Sequence, residues 1–316
     1  MIAQALHLLG RDPYANLAAE EALLERPFSD ESMLLLYANG PCCVVGRNQN
    51  PWAEISPSFG EPRGGLPILR RVSGGGAVYH DEGNLNWAFL VPRSEHDRAS
   101  ELGLVVSALR GIGIDLCEGS RGGLYVERGP YCGRKVSGTA RRLAAKRVLH
   151  HGTLLVDADL GRLSASLGGL RLGYSRGLSS VSSPAVNLAS LKPDLGLGPG
   201  VDEIAEALAR SITGSCGTKI GADGLGLYAD RAYAEEAESR LRSWDWTWGA
   251  TPPFAFELEW ARGRTRIDVR GGLIASVSGP FSETLAPILG QRFEFETPES
   301  CLKILEQFDV HEIFMS

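Results

Sequence analysis

The hydrophobic residues of this chain form short apolar runs that are separated by polar and glycine-rich segments. The runs at residues 33–37 and 42–45 are too short for helices and apolar throughout, which predicts buried strands. Residues 66–69 and 85–91 have the same character, and residues 148–156 become strand-like toward their end. We therefore expect several buried strands in the first half of the chain.

Helical patterns lie between these predicted strands. The pair Asp12-Pro13 is typical of a helix N-cap and first helical position, and it predicts a helix that extends to Glu25. Residues 99–112 are amphipathic with helical spacing, and residues 201–213 and 228–242 also predict helices. Because strands outnumber simple strand–helix–strand units, we expect an α/β (α+β) fold, a mixed sheet with flanking helices.

The pattern changes near residue 250. Residues 244–253 carry three tryptophans and two prolines, and they interrupt the helical spacing. Beyond them the sequence predicts strands at 254–260, 265–269 and 273–277, turns at 261–263 and 271–272, and helices at about 281–289 and 298–308. We therefore expect a large domain of residues 1–245 and a small α/β domain of residues 250–316.

The composition is that of an ordinary globular protein, with 43% hydrophobic and 22% charged residues. A net charge of −6 argues against a broad basic surface for nucleic acid. No apolar run approaches the ~18 residues needed to cross a bilayer, and no signal or transit peptide is evident. The cysteines at 42, 43, 117, 132, 216 and 301 form no CxxC pair. Reduced thiols and a cytoplasmic location are therefore expected.

The most informative segment is RRVSGGGAVYHDEGN at residues 70–84. Glycines lack a Cβ atom, so their backbone can approach a ligand and offer N–H groups to an anion. The two arginines supply fixed positive charge that can bind a carboxylate or phosphate in a bidentate manner. For the glycine triplet alone, a simple turn is the alternative. The segment matches neither a P-loop nor a GxGxxG motif.

Several ordered motifs together resemble those of the lipoate–protein ligase A family, which belongs to a larger group with biotin ligases and lipoyl/octanoyl transferases. They are the segment 70–84, GRNQNPW at 46–52, GRKVSGTA at 133–140, HHGTLL at 150–155, SVSSPAVNL at 180–188 and W-x-W-x-x-G-x-T-P-x-F at 244–254. The last pattern is typical of ligases with a small accessory domain. The resemblance implies a biotin/lipoate ligase-like fold over residues 1–245 and an accessory domain beyond them.

The resemblance gives Lys135 a specific role. By itself, a lysine between glycines and beside an arginine can be a solvated loop charge. The family uses a lysine in a matching segment to stabilise the negative charge that grows when ATP activates a carboxylate. The resemblance therefore implies that Lys135 is the catalytic residue.

The resemblance also implies a set of ligand-binding positions. They are Arg47, Arg71, Ser73, Gly74, Gly75, Gly76, Tyr79, His80, Asn84, Ser137, Gly138, His151, Gly152, Ser180 and Asn187. His80 has two interpretations of equal weight, a structural histidine and a catalytic one. Metal ligation is disfavoured because no second histidine follows it at helical spacing, and we expect no resident metal site. Gly152 is expected to permit close approach of the backbone to the ligand, and orienting a strand end is an alternative role for His151.

The implied activity is ATP-dependent attachment of lipoate to protein. Lipoate and ATP would form lipoyl-AMP and pyrophosphate, and a lysine of an acceptor domain would then attack the mixed anhydride. Triphosphate chemistry implies Mg²⁺ as well. The implied partners are the lipoyl domains of 2-oxoacid dehydrogenase E2 subunits or the glycine-cleavage H protein, and the enzyme is expected to be a monomer.

The chain departs from the family pattern in two places. Gly122-Gly123 stands where many relatives carry an Asn-Asp or Phe-Asp pair, and Ser182 and Pro184 stand where a familiar relative has arginines. Two alternatives therefore stay open. One is a lipoyl or octanoyl transferase that uses a cysteine thioester, with Cys117 as its first candidate and Cys132 as its second. The other is a non-catalytic protein that binds lipoate.

Overall fold

The computed structural model describes residues 2–59, 65–191, 200–221, 224–260 and 263–315, with side chains described up to residue 306. The α-helices are α1 Pro13–Glu25, α2 Pro51–Glu54, α3 Arg98–Gly111, α4 Leu160–Ser166, α5 Val201–Thr213, α6 Arg231–Arg242 and α7 Thr297–Met315. The strands are β1 Gln4–Leu8, β2 Met33–Ala38, β3 Cys42–Val45, β4 Ile68–Arg70, β5 Val78–His80, β6 Asn84–Pro92, β7 Leu116–Glu118, β8 Leu124–Val126, β9 Lys135–Ser137, β10 Thr139–Leu143, β11 Arg147–Leu155, β12 Tyr174–Ser175, β13 Thr218–Ile220, β14 Phe254–Trp260, β15 Gly263–Arg270 and β16 Leu273–Ser278. None of the helices in these described ranges is long and apolar enough to cross a bilayer.

A six-stranded mixed sheet in the order β10-β11-β6-β2-β1-β13 forms the centre of the molecule. β1 pairs in parallel with β2 and β13, whereas β2, β6, β11 and β10 pair antiparallel. Helices α1 and α6 pack on one face, and α3 and α5 pack on the other. Strands β2 and β6 are apolar along most of their length because both of their faces are covered. The predicted mixed sheet with flanking helices is confirmed.

Helix α1 begins as the sequence predicts, because Asp12 Oδ1 accepts a hydrogen bond from the backbone N–H of Tyr14 at 2.9 Å. Its buried face is unusual, since it carries Asn16 and Glu20 among leucines and alanines. Buried polar groups are costly unless they are hydrogen-bonded. Each of these two side chains therefore needs hydrogen-bond partners. Asn39 is a partner of Asn16, and Tyr37 and His151 are partners of Glu20.

Two three-stranded sheets position the motifs. β3 pairs in parallel with β4 on one side and antiparallel with β5 on the other. The glycine segment connects β4 to β5. β7, β8 and β9 form an antiparallel sheet, and β9 begins at Lys135. The glycine segment and the lysine segment therefore sit on separate small sheets that meet over the large one.

The C-terminal strands form the predicted β-meander. β14, β15 and β16 pair antiparallel in sequence order, and Gly271 and Gly272 form the predicted turn with φ angles of 58° and 71°. Most of the turn predicted at 261–263 lies outside the described residues. β12 pairs with β14 as a fourth strand of this sheet. It lies in the sequence well before the predicted domain boundary near residue 250. Residues 254–305 also share a hydrophobic core with Trp52 and its neighbours.

One expectation about an element was wrong, and one strand was not predicted. The helix expected at about 281–289 is a series of turns that contains only a short 3₁₀ helix, Ala286–Ile288. Pro287 explains this, because proline has no N–H to donate and its ring clashes with the preceding helical turn. The polar segment that begins at Thr139 forms β10, although its sequence gave no strand signal. β10 is an edge strand with mostly exposed side chains, so it has no apolar pattern to display.

Candidate active site

A cavity of about 380 Å³ lies over the face of the large sheet that also packs against α1. Tyr37, Asn86 and Thr153 are side by side on β2, β6 and β11, and all three line it. Ala140 on β10 lines it at the other edge. Adjacent strands lie about 4.8 Å apart, so the cavity crosses roughly 14 Å from β10 to β2. Its shape is therefore that of a channel perpendicular to the strands.

The β10 end of the cavity carries free positive charge. Lys135 and Arg121 both line it. Among the residues that the structure describes, the Lys135 ammonium has no hydrogen bond or ion pair. Its backbone is fixed, since Lys135 N donates to Pro184 O at 2.8 Å and Val186 N donates to Lys135 O at 3.0 Å. The lysine segment and the serine-rich segment around Ser183 are thus one unit at the cavity mouth.

Glycines make room for Lys135. A Cβ atom on Gly123 would lie 3.1 Å from Lys135 Cε and 2.8 Å from Ser137 O. Gly122 has a φ of 76°, which favours glycine, and a Cβ there would meet Arg98 and Thr139. Gly122 and Gly123 therefore leave room for the Lys135 side chain and supply no side-chain contact of their own.

Arg71 builds the glycine loop instead of facing a ligand. Its guanidinium donates to the carbonyl oxygens of Gly74 at 2.6 Å and Gly76 at 2.8 Å, to Val44 O at 3.2 Å and to Ser73 Oγ at 3.0 Å. The side chain is buried and lines the cavity wall. Arg71 therefore uses most of its donors to hold its own chain, and it fixes the glycine loop at the cavity wall.

Arg70 is also unavailable to a ligand. It is fully buried, and its guanidinium donates to the carbonyl oxygens of Gly46, Arg47 and Gln49 on one side. On the other side it donates to Thr247 O at 2.7 Å and to Thr251 Oγ1 at 2.9 Å. Arg70 therefore ties the GRNQNPW segment to the tryptophan-rich segment, which forms a π-helical turn, Asp245–Gly249.

A chain of hydrogen bonds crosses the floor of the cavity. Ser73 Oγ lies 2.7 Å from His151 Nε2, and His151 Nδ1 lies 3.0 Å from Glu20 Oε2. Tyr37 OH donates to the same Glu20 oxygen at 3.1 Å. A carboxylate only accepts, so Nδ1 of His151 carries a proton and Nε2 of a neutral ring accepts from Ser73. Burial, with the carboxylate of Glu20 as the next cause, raises the pKa of Tyr37 well above its ordinary value.

The serine-rich segment lies directly over the glycine loop. Ser180 Oγ accepts from Ala77 N at 2.8 Å and is 3.0 Å from Gln49 Nε2. Both carboxylate oxygens of Glu54 lie 3.2 Å from Ser180 N, which fixes the segment to the end of α2. The backbone N–H that directly follows the glycine triplet is therefore already bonded to this segment.

The structure brings together nine of the predicted site residues at the cavity wall. They are Arg71, Gly75, Gly76, His80, Lys135, Gly138, His151, Gly152 and Ser180. A Cβ on Gly152 would lie 2.6 Å from Trp87 Cζ2 and 2.7 Å from Gly138 O, so this glycine permits close packing of the chain on itself. His80 is buried, and burial, with Arg71 and His151 nearby, lowers its pKa to about 3.

The remaining predicted positions do not line the cavity. They are Arg47, Ser73, Gly74, Tyr79, Asn84, Ser137 and Asn187. Arg47 stacks on the Trp246 ring at 4.5 Å from its centroid. Asn187 is bonded to the backbone of Ala158 at both its amide oxygen and its amide nitrogen. Ser73 contributes indirectly through its bonds to Arg71 and His151.

The sequence analysis missed Glu20, Tyr37 and Arg121. Glu20 had a usable signal, since an acidic residue on the buried face of an apolar helix implies a specific partner. Tyr37 was read only as part of a buried strand, and nothing in its local pattern separates a cavity wall from a core. Arg121 lies in a glycine-rich turn that only the tertiary structure brings beside Lys135.

The fold and cavity define a class of small-molecule site. Leu17, Val44 and Val78 give the cavity apolar walls, and the free ammonium of Lys135 stands at one end. Such a site suits an acid with an apolar tail, whose carboxylate would meet the cation.

Comparison with known proteins assigns the family. Residues 12–213 match the lipoyl protein ligase A/B catalytic domain family, and the chain belongs to that family. The chain is similar to LipL1 of P. falciparum in complex with lipoate, at 21% identity and a TM-score of 0.63, over 93% of this chain and 90% of that one.

Two further solved structures have the same fold. One is the T. acidophilum lipoate protein ligase with bound lipoic acid, at 22% identity and a TM-score of 0.61, over 78% of this chain and 98% of that one. The same archaeal lipoylation system includes an E2 lipoyl domain. The other is a lipoate-protein ligase A bound with ATP, at 22% identity and a TM-score of 0.59, over 78% of this chain and 98% of that one.

Proposed function

We propose that this protein is a lipoate–protein ligase that activates lipoate with ATP and transfers the lipoyl group to a lysine of an acceptor domain. The observation that carries the proposal is the Lys135 ammonium at the end of an apolar cavity, without a partner among the described residues, in a chain of the lipoyl protein ligase A/B family. Solved proteins of this fold hold lipoate or ATP. These observations support lipoate and ATP as the substrates.

In this proposal the cavity orients lipoate by charge and by apolar contact. The carboxylate lies at Lys135, and the aliphatic chain runs between Val44 and Val78 toward Tyr37. When a carboxylate oxygen attacks the α-phosphate, pyrophosphate leaves and negative charge grows on the phosphoryl oxygens. A positioned ammonium stabilises that charge without having to reorganise. Arg121, at the same end, adds a second cation for the triphosphate.

The nucleotide would lie between the lysine segment and the serine-rich segment. Ser179 and Ser183 line the cavity near that end and supply hydroxyl groups for ribose or phosphate. Mg²⁺ is the usual companion of a triphosphate in such reactions. Among the described residues, no three His, Cys, Asp or Glu side chains converge on one point. We therefore expect Mg²⁺ to arrive with ATP and not to occupy a resident site.

The second half-reaction is nucleophilic attack by the acceptor lysine on the mixed anhydride, which releases AMP. The expected acceptors are a lipoyl domain of a 2-oxoacid dehydrogenase E2 subunit or the glycine-cleavage H protein. We propose that the ligase acts as a monomer in the cytoplasm. The free cysteines of the structure are compatible with a reducing compartment.

Lys135→Ala tests the proposal directly. Loss of a charge-stabilising contact should lower the rate of pyrophosphate release with lipoate by at least ~10². The fold should persist, since the ammonium has no partner among the described residues, and the melting temperature should stay within the range typical of surface substitutions. Lys146→Ala, in the exposed turn between β10 and β11, is the matched control and should keep full activity.

Two results would contradict the proposal. Near-normal lipoyl-AMP formation by the Lys135→Ala variant would remove Lys135 from the reaction. Binding of lipoate by the wild-type protein without any ATP-dependent pyrophosphate release would favour a non-catalytic lipoate-binding protein. Comparison of lipoate, octanoate and biotin in the same assay would identify the acid that the enzyme activates.

A further inference from the structure

A relay of amide groups fixes the orientation of His80. Asn16 Nδ2 lies 3.0 Å from Gly10 O and 3.3 Å from Ala38 O, so this atom must be the donating nitrogen of the amide. The same nitrogen donates to Asn39 Oδ1 at 2.9 Å. Asn39 therefore turns its own nitrogen toward His80, where Nδ2 lies 3.0 Å from Nδ1 of the ring.

The relay determines which ring nitrogen carries the proton. Asn39 Nδ2 can only donate, so His80 Nδ1 must accept, and the proton of a neutral ring lies on Nε2. The ring is neutral at ordinary pH, because burial and the neighbouring Arg71 and His151 hold its pKa far below 6.5. His80 is therefore a hydrogen-bond donor through Nε2.

Among the residues that the structure describes, this donor has no partner. His80 lines the cavity with only 4% of its surface exposed, and its Nε2 is fully buried without a hydrogen bond. Of the cavity-lining side chains that the structure describes, His80 alone has such an atom. His151, a neighbour of His80, is bonded through both ring nitrogens, to Ser73 and to Glu20. A ligand is the natural partner for His80.

The donor stands at the far end of the cavity from the catalytic lysine. Asn39, its partner, directly follows β2, whereas Lys135 lies near β10, roughly three strand spacings of about 4.8 Å away. If the carboxylate of an acid is at Lys135, the tail of the acid points toward β2. In lipoate that tail ends in a ring with two sulfur atoms, and in octanoate it is hydrocarbon. Sulfur is a weak acceptor, and hydrocarbon accepts nothing.

We propose that His80 Nε2–H donates a hydrogen bond to a ring sulfur of bound lipoate, and that Asn16 and Asn39 hold the ring in the tautomer this bond requires. The inference rests on the proposed ligase function and deepens it, because it makes His80 a residue that selects lipoate over octanoate. Octanoate, whose tail has no acceptor, would leave the buried donor unpaired, whereas a ring sulfur of lipoate would satisfy it. Sites built for a hydrogen bond reject analogues that lack the acceptor for this reason.

The test compares kcat/KM for lipoate and octanoate by ATP-dependent pyrophosphate release. The wild-type enzyme should prefer lipoate by about tenfold, the order expected for one unpaired buried donor. His80→Phe, which keeps a ring but removes the donor, should bring the ratio close to one, mainly by weakening lipoate. His7→Phe replaces another buried histidine, on β1 and away from the cavity, and should leave the ratio unchanged.

Asn39→Asp tests the relay at a residue that does not line the cavity. The new carboxylate keeps the oxygen that accepts from Asn16 but cannot donate to His80, so the proton of the neutral ring should move to Nδ1. The lipoate preference should then fall as it does in His80→Phe. Imidazole ¹⁵N chemical shifts, with the His80 signals assigned by their loss in His80→Phe, should report Nε2–H in the wild type and Nδ1–H in Asn39→Asp.

The outcomes separate the two hypotheses. An unchanged lipoate-to-octanoate ratio in both variants, or an Nδ1–H tautomer in the wild type, would overturn the role of His80. The tautomer measurement decides the matter even if His80→Phe fails to fold, since Asn39→Asp can then supply the assignment. Failure of the wild-type enzyme to activate either acid would instead contradict the ligase proposal.

Discussion

At the scale of single residues, two adjacent arginines at the end of β4 hold different segments of the chain. Arg71 donates to the glycine loop, and Arg70 donates to the segments around Gly46 and Thr247. Both are buried, and both use their charge to satisfy backbone carbonyls instead of a ligand. A buried carbonyl that loses its donor costs about 1–3 kcal/mol, so these arginines stabilise the shape of the site.

The buried histidines make stability depend on pH. Burial lowers the pKa of His80 to about 3, and it also lowers the pKa of His150 despite a bond to Glu101. Below about pH 6.5 the unfolded chain binds protons that the folded chain excludes, so folding stability falls as the pH falls. We expect each such histidine to cost up to about 1.4 kcal/mol per pH unit in this range.

Urea unfolding at pH 7.5 and pH 5.5 measures this dependence. The wild-type free energy of unfolding should be clearly lower at pH 5.5, and His80→Phe should lose less between the two pH values. Identical losses in the two proteins would show that His80 titrates normally. Burial also lowers the pKa of His7, so His7→Phe should likewise lose less stability than the wild type between the two pH values.

The cysteines distinguish a ligase from a thioester transferase. Cys42 and Cys43 are buried, and burial raises the pKa of Cys43 to about 11, so neither is a ready nucleophile. Cys117 and Cys132 are exposed, and neither lines the cavity. We expect Cys117→Ser and Cys132→Ser each to keep ATP-dependent attachment of lipoate to an isolated lipoyl domain. Loss of transfer in either variant, or transfer from an acylated donor protein without ATP, would support the transferase.

At the scale of elements, close backbone contacts hold the glycine loop in place. A Cβ on Gly46 would lie 2.2 Å from Gly75 O, and Gly75 itself has a φ of 91° that favours glycine. The turn after β3 therefore packs directly on the loop after β4. Any side chain at residue 46 must push the loop away from the position that Arg71 gives it.

Gly46→Ala tests this contact. We expect a loss of about 1–3 kcal/mol in stability, as for other overpacked sites, and at least a tenfold loss of kcat/KM because the cavity wall moves. Gly103→Ala is the matched control, since Gly103 lies within α3 and a Cβ there meets nothing within 4 Å. That control should gain up to about 1 kcal/mol from helix propensity and keep full activity. Wild-type activity in Gly46→Ala would show that the contact does not shape the site.

The lysine segment and the serine-rich segment are coupled in the same way. Lys135 exchanges backbone bonds with Pro184 and Val186, and Ser180 bonds across to the glycine loop. Hydrogen bonds thus connect three segments that are far apart in sequence. This arrangement fixes the backbone of Lys135, whose side chain lines the cavity.

At the scale of the whole molecule, the C-terminal strands are built into the rest of the chain. Trp52 is fully buried, and its ring centroid lies 4.8 Å from that of Trp248 and 5.3 Å from that of Phe254. Trp246 is held between Arg47 and Arg240, and its Nε1 donates to Arg70 O at 2.6 Å. Large aromatic contacts of this kind contribute strongly to stability. Separation of residues 250–316 from the remainder would expose them.

We therefore expect the C-terminal part to stay docked during the reaction. Small-angle scattering of the wild-type protein should give the same radius of gyration with and without a non-hydrolysable lipoyl-AMP analogue. Trp52→Ala, which removes the centre of the shared aromatic core, should lower stability by about 3–5 kcal/mol and increase the radius. A change in the wild-type radius on adding the analogue would show that the small domain swings about residues 244–253.

The sequence by itself determined the family, the mixed sheet and the first helix, and it singled out Lys135, which the structure places at the cavity wall. These features depend on local order: apolar runs, the Asp12-Pro13 cap, and motifs whose residues are adjacent in the chain. The meander with its Gly271-Gly272 turn belongs to the same class, because a hairpin is a contact between sequence neighbours.

Only the tertiary structure decided which polar groups meet. Glu20 on α1 reaches His151 on β11, and Asn16 reaches His80 through Asn39, across separations that no local pattern encodes. Arg70 and Arg71 looked like ligand-binding residues because charge is visible in a sequence, whereas the carbonyl oxygens that occupy them are not. Backbone acceptors are present at every residue, so the fold alone determines which of them a buried arginine will satisfy.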